Sequence, residues 1–295
     1  SQKFKNSHLK ELQIWYCDVE NCGDLFKGLP NLSSLIIHAN VTNADTKYFE
    51  YLPKLMYLDI EGTFVTDISF LKKLTELKTL GLPTRIEDLS VLYELPNLNK
   101  VEMEGYTLLN VDRNLMNYFD SKNIDISFCN NFKSKGDDKL ELDYGMRDKL
   151  NEIILDFDFT DSTSDFEKID IITKFVMDQI TYQYVTTGEY MTSFKQTFDY
   201  NVGVCYDYAV LEETLLTLAG IDAYLVLGHA MNYDSDFDLV YSVGLHAWNM
   251  VYVDDEWYAL DATWCDRSSV TDYKTCPYYM KKDDTGVTWQ EHYNS

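Results

Sequence analysis

The sequence predicts two modules: an α/β solenoid of short repeats, then an α+β domain in which a helix packs on an antiparallel sheet. Two observations support this prediction. Leucine-type residues recur about every 22 positions over the first 130 residues, and this period is absent afterwards. Beyond a polar segment, apolar residues follow helical spacing and then form strand-like runs. We therefore assign residues 1–130 to the solenoid, 131–138 to a linker and 139–295 to the second domain.

The repeats share the frame Leu-x-x-Leu-x-Leu, in which each short strand buries its apolar side chains inward. Its six copies begin at residues 9, 32, 55, 77, 98 and 121, the last one being degenerate. Eight residues after each start is a turn position where a small polar side chain can bond the backbone. It is occupied by Cys17, Asn40, Thr63, Arg85, Tyr106 and Cys129. One repeat cannot bury its own apolar face, but six stacked repeats can.

With segments such as 66–74 and 87–92, this pattern resembles the internalin-type leucine-rich repeats over residues 8–130. The resemblance implies a concave face that binds a protein ligand, although a solenoid that serves only as a spacer has the same pattern. We expect that face to carry strand side chains that lie outside the core. They are Gln13, Trp15, Ile36, Tyr57, Asp59, Glu61, Glu102 and Glu104.

Charge and hydropathy exclude two classes of partner. The net charge is -24, of which -5 falls on residues 1–130 and -19 on residues 131–295. Such a field repels phosphate backbones, so we expect no nucleic-acid binding. It favours neutral or cationic substrates such as Lys-bearing peptides, unless the acidity only maintains solubility. No run approaches the ~18 apolar residues of a membrane span, so none is predicted.

The elements of the second domain follow from spacing and caps. Apolar residues from 142 to 154 suit an amphipathic helix, and Ser164 caps a second helix that runs to Gln179. A third helix spans 206–218 and ends at Gly220. Strands are expected over 221–227, over 247–253 with His246 at its beginning, and over 257–260, the last two forming an antiparallel hairpin.

Three residues in order have the chemistry of a cysteine nucleophile. Cys205 precedes the third helix, where the macrodipole stabilises a thiolate and backbone N–H groups can hold an oxyanion. His246 and Asp261 lie on the two strands of the hairpin, so the carboxylate can orient the imidazole. A helix packed on that sheet would bring Cys205 to the other ring nitrogen. The sequence therefore predicts a Cys-His-Asp triad.

The surrounding motifs identify a family resemblance over residues 140–295. Gly-Val-Cys-x-x-Tyr-Ala at 203–209, His-Ala-Trp-Asn-x-Val at 246–251 and Trp-Tyr-x-Leu-Asp-x-Thr-Trp at 257–264 resemble the transglutaminase-like branch of papain-fold cysteine enzymes. The resemblance implies Cys205 as nucleophile, His246 as general acid/base and Asp261 as orienter. Many members of the family also use an upstream side chain as oxyanion donor, for which Tyr182, Gln183 and Gln196 are open alternatives.

These observations predict a cysteine acyl-transfer enzyme that acts on peptide or glutamine amide bonds without a cofactor. Water as acceptor gives a protease or amidase, and an amine gives a transglutaminase; the sequence leaves both open. The alternative is an inactive binding or adhesion protein in which the solenoid carries the function. The acidic run at 234–238 lacks the Gly and final Glu of a calcium loop, so no metal is expected.

Six cysteines without a CxxC motif exclude a zinc knuckle, and pairs 17–22 and 265–276 are the possible disulfides. The chain begins at Ser1 without Met or an apolar signal segment, which suggests a mature form or fragment. The tail at 278–283 with His292 resembles the end of secreted bacterial members of the family. We therefore expect an extracellular or cell-surface location, the signal peptide being absent from this chain.

Overall fold

The structure is a computed structural model that describes residues 8–15, 22–127, 142–183, 193–233, 239–268, 271–282 and 291–294. The chain divides into two compact units, Ser1–Phe132 and Lys133–Ser295. The predicted linker, 131–138, lies outside the described residues.

The first unit is built on a six-stranded parallel sheet whose strands follow one another in sequence order. The strands are β1 (Glu11–Trp15), β2 (Ser34–His38), β3 (Tyr57–Asp59), β4 (Thr79–Gly81), β5 (Lys100–Glu102) and β6 (Asp125–Ser127). Short helices form most of the connections: α1 (Cys22–Phe26), three 3-10 helices (Thr46–Tyr51, Ser69–Lys73 and Ser90–Glu94), α2 (Gly105–Leu109) and α3 (Arg113–Lys122).

The predicted frame positions stack in register through this sheet. Leu35 pairs with Leu58, Leu58 with Leu80 and Leu80 with Val101, and all four side chains are fully buried. One backbone bond recurs at the same place in successive units. It joins Ser33 N to Lys10 O, Met56 N to Ser33 O, Lys78 N to Met56 O, Asn99 N to Lys78 O and Asp125 N to Asn99 O. Each strand therefore enters the sheet at a position fixed by its predecessor.

The predicted turn positions are only partly used as expected. Thr63 Oγ1 donates to Ile60 O at 2.7 Å, as a small polar residue should. In a later unit this role belongs to Thr107, one residue after the predicted Tyr106; its Oγ1 donates to Pro83 O at 2.6 Å and accepts from Ile86 N at 2.6 Å. Cys17 and Cys129 lie outside the described residues.

One expectation about the sheet face is wrong. Asp59, Glu61 and Glu104 were expected to lie outside the core, yet they are only 6%, 4% and 0% exposed. Burial of a side chain depends on the neighbouring repeats, which the residue pattern of a single repeat does not reveal. Among the expected positions, Gln13 is exposed and Trp15 is partly buried.

Within its described residues, the second unit combines five α-helices and one 3-10 helix (Tyr273–Thr275) with a mixed sheet. The α-helices are α4 (Met146–Asp156), α5 (Asp165–Gln179), α6 (Ser193–Asp199), α7 (Cys205–Leu218) and α8 (Ala262–Arg267). Ser164 caps α5 as predicted, because its hydroxyl accepts from Glu167 N while the Glu167 side chain accepts from Ser164 N. Gly220 follows α7 with φ at +82°, which confirms the predicted end of that helix.

The five-stranded sheet has the order β12-β11-β10-β9-β13. Its strands are β9 (Asp222–Tyr233), β10 (Leu239–Val253), β11 (Glu256–Leu260), β12 (Lys281–Lys282) and β13 (Glu291–Asn294). β9 to β12 pair antiparallel, whereas β13 pairs parallel with β9. A separate parallel pair joins β7 (Thr181–Tyr182) to β8 (Val202–Gly203). α7 packs on β9 and β10.

His246 was expected to begin its strand, and this is wrong. β10 begins seven residues earlier, at Leu239, so His246 lies inside it and pairs with Gly228 of β9. The residues before His246 include Ser242 and Gly244, next to register shifts in the pairing. These weak strand formers concealed the first half of the strand.

Across the described helices, none combines the length and apolar character needed to cross a bilayer.

Candidate active site

Cys205 is the first residue of α7, which follows directly on β8. Its side chain is 6% exposed. Gly203, the last residue of β8, does not have a positive φ. Its role is close approach, since a Cβ at this position would lie 2.7 Å from the Cβ of Asp207. The absent side chain lets the first turn of α7 pack against the incoming strand.

The first turn of α7 is held by the buried carboxylate of Asp207. Oδ2 accepts from Val204 N at 2.9 Å and from Gln196 Nε2 at 2.6 Å, and Oδ1 accepts from Ser193 Oγ at 2.8 Å. All these side chains are buried. A carboxylate at a helix N-terminus also has favourable electrostatics. The backbone around Cys205 is therefore fixed by α6 as well as by β8.

His246 and Asp261 are in direct contact. His246 Nε2 lies 2.6 Å from Asp261 Oδ2, and the two residues are 5% and 1% exposed. The second oxygen of Asp261 accepts from Trp264 N at 3.0 Å, so this carboxylate is also the cap of α8. With one oxygen bound to the backbone, the other has a fixed direction toward the imidazole.

Cys205 interacts with the same imidazole. The Cys205 thiol is among the groups that raise the pKa of this ring. The structure thus shows the contact between His246 of β10 and Asp261, the residue after β11, and Cys205 of α7 acts on the same imidazole.

The surroundings favour the charged form of His246. Burial is the largest influence and opposes the charge, but the negative charge of Asp261, its hydrogen bond and the Cys205 thiol outweigh it. Together they raise the pKa of His246 from 6.5 to about 10. The imidazole therefore holds a proton at neutral pH, which suits a group that must protonate a leaving amine.

Two indoles hold the plane of the imidazole. Trp264 stacks on His246 with ring centres 4.6 Å apart and an angle of 18°, and Trp248 lies at 6.0 Å and 24°. Trp248 is 1% exposed, as expected for a core residue. Since Trp264 follows Asp261 on α8, the same short helix positions both the carboxylate and a stacking ring.

A second polar cluster joins α7 to the strand that carries His246. Asn249 Nδ2 donates to Ala209 O at 3.0 Å and to Glu212 Oε2 at 2.9 Å. Thr173 Oγ1, on α5, donates to Glu212 Oε1 at 2.8 Å. Burial raises the pKa of Glu212 to about 8, against the lowering effect of these two donors. One carboxyl thus links α5, α7 and β10 in the core.

Tyr208 makes a comparable link from α7 to α8. Its hydroxyl lies 2.7 Å from Ile180 O and 2.8 Å from Asp266 Oδ2. Burial and this acidic neighbour raise the pKa of Tyr208. The hydroxyl therefore remains a donor that ties the nucleophile helix to the helix capped by Asp261.

The three predicted oxyanion donors have different surroundings. Gln196 is buried, but its amide nitrogen is committed to Asp207. Tyr182 is partly buried, with the Arg267 guanidinium 4.0 Å from its ring centre. Gln183 is exposed, and its backbone N donates to Gly203 O. The backbone N–H groups of the first turn of α7 are donors on the same helix as the thiol.

Cys265 and Cys276 are buried and unbridged. Their thiols hydrogen-bond each other, which raises the pKa of Cys265 and, against burial, lowers the pKa of Cys276 to about 7. The other possible disulfide includes Cys17, which lies outside the described residues, as does the acidic run at 234–238.

Sequence reasoning missed Asp207, Glu212 and Tyr208 as positioning residues. The sequence contained a signal for these roles, which is the presence of Asp207, Glu212 and Glu213 in an otherwise apolar helix. In the structure, α7 is buried on all sides from Cys205 to Leu216. Acidic residues are almost never fully buried unless paired. Acids within an apolar helix therefore indicate internal partners.

A comparison with protein families gives a match within the second unit. The model of the transglutaminase-like superfamily matches residues 156–262, a segment that contains Cys205, His246 and Asp261. The second unit therefore includes a transglutaminase-like domain. The comparison with curated proteins finds no match.

Solved structures resemble parts of the chain. A candidate cysteine protease from Cytophaga hutchinsonii is 21% identical, with 55% of this chain and 46% of that chain covered and a TM-score of 0.31. Internalin C2 from Listeria monocytogenes is 22% identical, with 40% and 51% covered and a TM-score of 0.29. The periplasmic domain of TgpA from Pseudomonas aeruginosa is 20% identical, with 41% and 42% covered and a TM-score of 0.29. This chain thus spans about half the length of these proteins or less.

Proposed function

We propose that the second unit is a thiol acyl-transfer enzyme that acts on peptide or glutamine amide bonds. Cys205 is its nucleophile, His246 moves the proton and Asp261 orients the imidazole. The observation that carries the proposal is the 2.6 Å contact between His246 Nε2 and Asp261 Oδ2, on an imidazole whose pKa is also raised by the Cys205 thiol. A buried carboxylate and a thiol that act on one imidazole are the groups that such an enzyme needs.

The reaction divides into two steps. Cys205 Sγ attacks the amide carbonyl carbon and forms a C–S bond, while backbone N–H groups of the first turn of α7 stabilise the oxyanion. The proton on His246 passes to the leaving nitrogen as the C–N bond breaks, which leaves an acyl-enzyme. Water or a primary amine then gives its proton to His246 and attacks the thioester, releasing a carboxylic acid or a new amide.

The acidity of residues 131–295, with a net charge of -19, supports neutral or cationic substrates. A lysine amine fits this field both as part of a peptide substrate and as an acceptor. Hydrolysis and amine transfer differ only in which acceptor reaches the acyl-enzyme, so the two products must be measured side by side.

We propose further that residues 8–127 form a leucine-rich repeat solenoid that binds a protein substrate or partner. The parallel order of six strands and the backbone bond repeated from unit to unit support this proposal. So do side-chain bonds between successive units, such as Lys54 Nζ to Asn31 Oδ1 at 2.8 Å and Asn43 Oδ1 to Thr66 N at 2.9 Å. Extracellular or surface location remains a prediction from the family resemblance.

A second function is favoured by the low exposure of the site. Cys205 and His246 are only 6% and 5% exposed, which suits a domain that keeps the fold without turnover while the repeat unit binds a ligand. Thiol reactivity distinguishes the two. An enzyme needs Cys205 to react with iodoacetamide much faster than Cys265 or Cys276, and needs His246→Ala to remove that difference.

The deciding experiment is a time course of peptide cleavage and of fluorescent-amine incorporation into a glutamine-containing protein. Wild type is compared with Cys205→Ala and, as a thiol control in the other unit, with Cys22→Ala. We expect Cys205→Ala to lose the activity and Cys22→Ala to keep it. Product formation that is equal in wild type and Cys205→Ala would reject the enzyme, and cleavage without amine incorporation would reject transglutamination.

A further inference from the structure

Three metal-ligating side chains meet on one face of the parallel sheet in the first unit. His38 ends β2, Asp59 ends β3, and Glu61 follows two residues later. Ile36 pairs with Asp59, and alternate residues point to the same face, so the register places all three together. One ligand atom from each residue lies within 4.8 Å of the other two. The catalytic chemistry proposed above does not use any of them.

The cluster is buried, with His38, Asp59 and Glu61 only 1%, 6% and 4% exposed. Neither ring nitrogen of His38 forms a hydrogen bond, although Nε2 lies 3.2 Å from Asp59 Oδ1. That oxygen instead accepts from Glu61 N at 3.1 Å. Buried polar atoms are normally hydrogen-bonded. A cation held by these three side chains would give the His38 nitrogen the partner that it lacks.

The surrounding chain is shaped to admit these side chains. A Cβ at Gly62 would lie 2.9 Å from His38 Cβ, and a Cβ at Gly81 would lie 2.8 Å from Asp59 Oδ1. The Trp15 indole packs edge-on against the His38 ring, with centres 4.4 Å apart. Two glycines and one aromatic ring therefore fix where the imidazole and the carboxylate can lie.

We propose that His38, Asp59 and Glu61 bind a divalent transition-metal ion, with Zn²⁺ as the best fit. One imidazole with two carboxylates is a ligand set for Zn²⁺ and its neighbours, whereas Ca²⁺ and Mg²⁺ take oxygen ligands. Two ligands of one Zn²⁺ lie at most about 4 Å apart, so binding draws the cluster together by roughly 1 Å. Three protein ligands leave a fourth position for water or for a side chain of the bound partner.

The test is calorimetric titration of Zn²⁺ into the metal-free full chain, in the Cys205→Ala background so that the thiol–imidazole pair does not compete. We expect one saturable site in the parent protein. His38→Ala and the near-isosteric Glu61→Gln should each lower its Zn²⁺ affinity at least about tenfold, because removing even an outer hydrogen-bond partner of a ligand has an effect of that size. His8→Ala, an exposed histidine of the same unit, should bind Zn²⁺ as its parent does.

Co²⁺ absorption separates this site from the cysteines, because the proposed ligand set gives d–d bands without a thiolate charge-transfer band. Circular dichroism of Glu61→Gln shows whether the fold is kept. The proposal is overturned by the absence of a saturable site, by equal affinity in the parent and Glu61→Gln, or by Co²⁺ spectra that are purely thiolate in character.

Discussion

Replacing Asp261 by Asn tests the electrostatics of the site with little change of shape. The amide oxygen of Asn can still accept from Trp264 N, which Asp261 Oδ1 accepts at 3.0 Å, so the cap of α8 is preserved. What disappears is the negative charge 2.6 Å from His246 Nε2. The variant therefore isolates the charge from the structural role of the side chain.

The expected effect follows from the balance at His246. The rise of its pKa from 6.5 to about 10 corresponds to about 5 kcal/mol in favour of the charged imidazole. Asp261 makes the largest contribution that raises the pKa, and burial makes the largest that lowers it. Without Asp261, burial dominates, and we expect the pKa of His246 to fall below 6.5. Turnover should fall about 10²- to 10⁴-fold, the range of a lost proton-transfer group.

Stability should change with pH in the corresponding direction. A histidine whose pKa is raised on folding contributes stability that is fully present below pH 6.5 and is lost as the pH rises through about 10. The free energy of unfolding of wild type should therefore decline relative to that of Asp261→Asn across this range. Denaturant titrations at pH 6 and pH 10 measure the difference.

The assay is NMR titration of ¹³C-labelled histidine. The chain has five histidines, and His246→Gln assigns the signal. Asp255→Asn, an exposed turn acid of the same hairpin, is the matched control and should leave the pKa of His246 near 10. A folded Asp261→Asn protein whose His246 still titrates near 10 would refute the reasoning, as would an equal fall in Asp255→Asn.

Four further substitutions test the surroundings of α7 and α5. The pKa of Glu212 is raised to about 8, so the folded protein keeps a proton that the unfolded chain releases above pH 4.5. The free energy of unfolding, measured by urea titration, should therefore fall as the pH rises from 4.5 to 8. The same profile should be flatter in Glu212→Gln. Gly203→Ala should cost about 1–3 kcal/mol, because its Cβ meets Asp207 at 2.7 Å. Gly220→Ala meets no atom and should cost only about 1 kcal/mol of backbone strain; equal thermal shifts in the two glycine variants would contradict the packing argument. Ser164→Ala should lose about 1 kcal/mol of helix capping, and an unchanged midpoint of unfolding would show that the cap does not stabilise α5.

The sequence predicted correctly those helices and strands whose signals lie within one short segment. α5 begins after Ser164 and ends at Gln179 as expected, because a cap and an apolar stripe are encoded within one short segment. The hairpin of β10 and β11 also follows from its acidic turn. The beginning of β10 was missed, since Ser242 and Gly244 lower strand propensity and the pairing with β9 is not local.

The site was predictable only in part, for a related reason. The types and order of Cys205, His246 and Asp261 suggested the chemistry, but the carboxylates that support them depend on long-range contacts. Glu212 meets Asn249 from 37 residues away. The same holds in the first unit, where the burial of Asp59 is set by neighbouring strands. A charged residue is normally predicted to be exposed. Its burial here depends on contacts that form only when the sheet assembles.

The amide of Asn249 has a consequence for how this domain tolerates change. It clamps the helix bearing the thiol directly to the strand bearing the imidazole, one turn beyond Cys205 and three residues beyond His246. Their spacing is thus fixed by the interior and not by the connections between them. Evolution can lengthen, shorten or replace those connections to suit new substrates while the reacting atoms stay where they are.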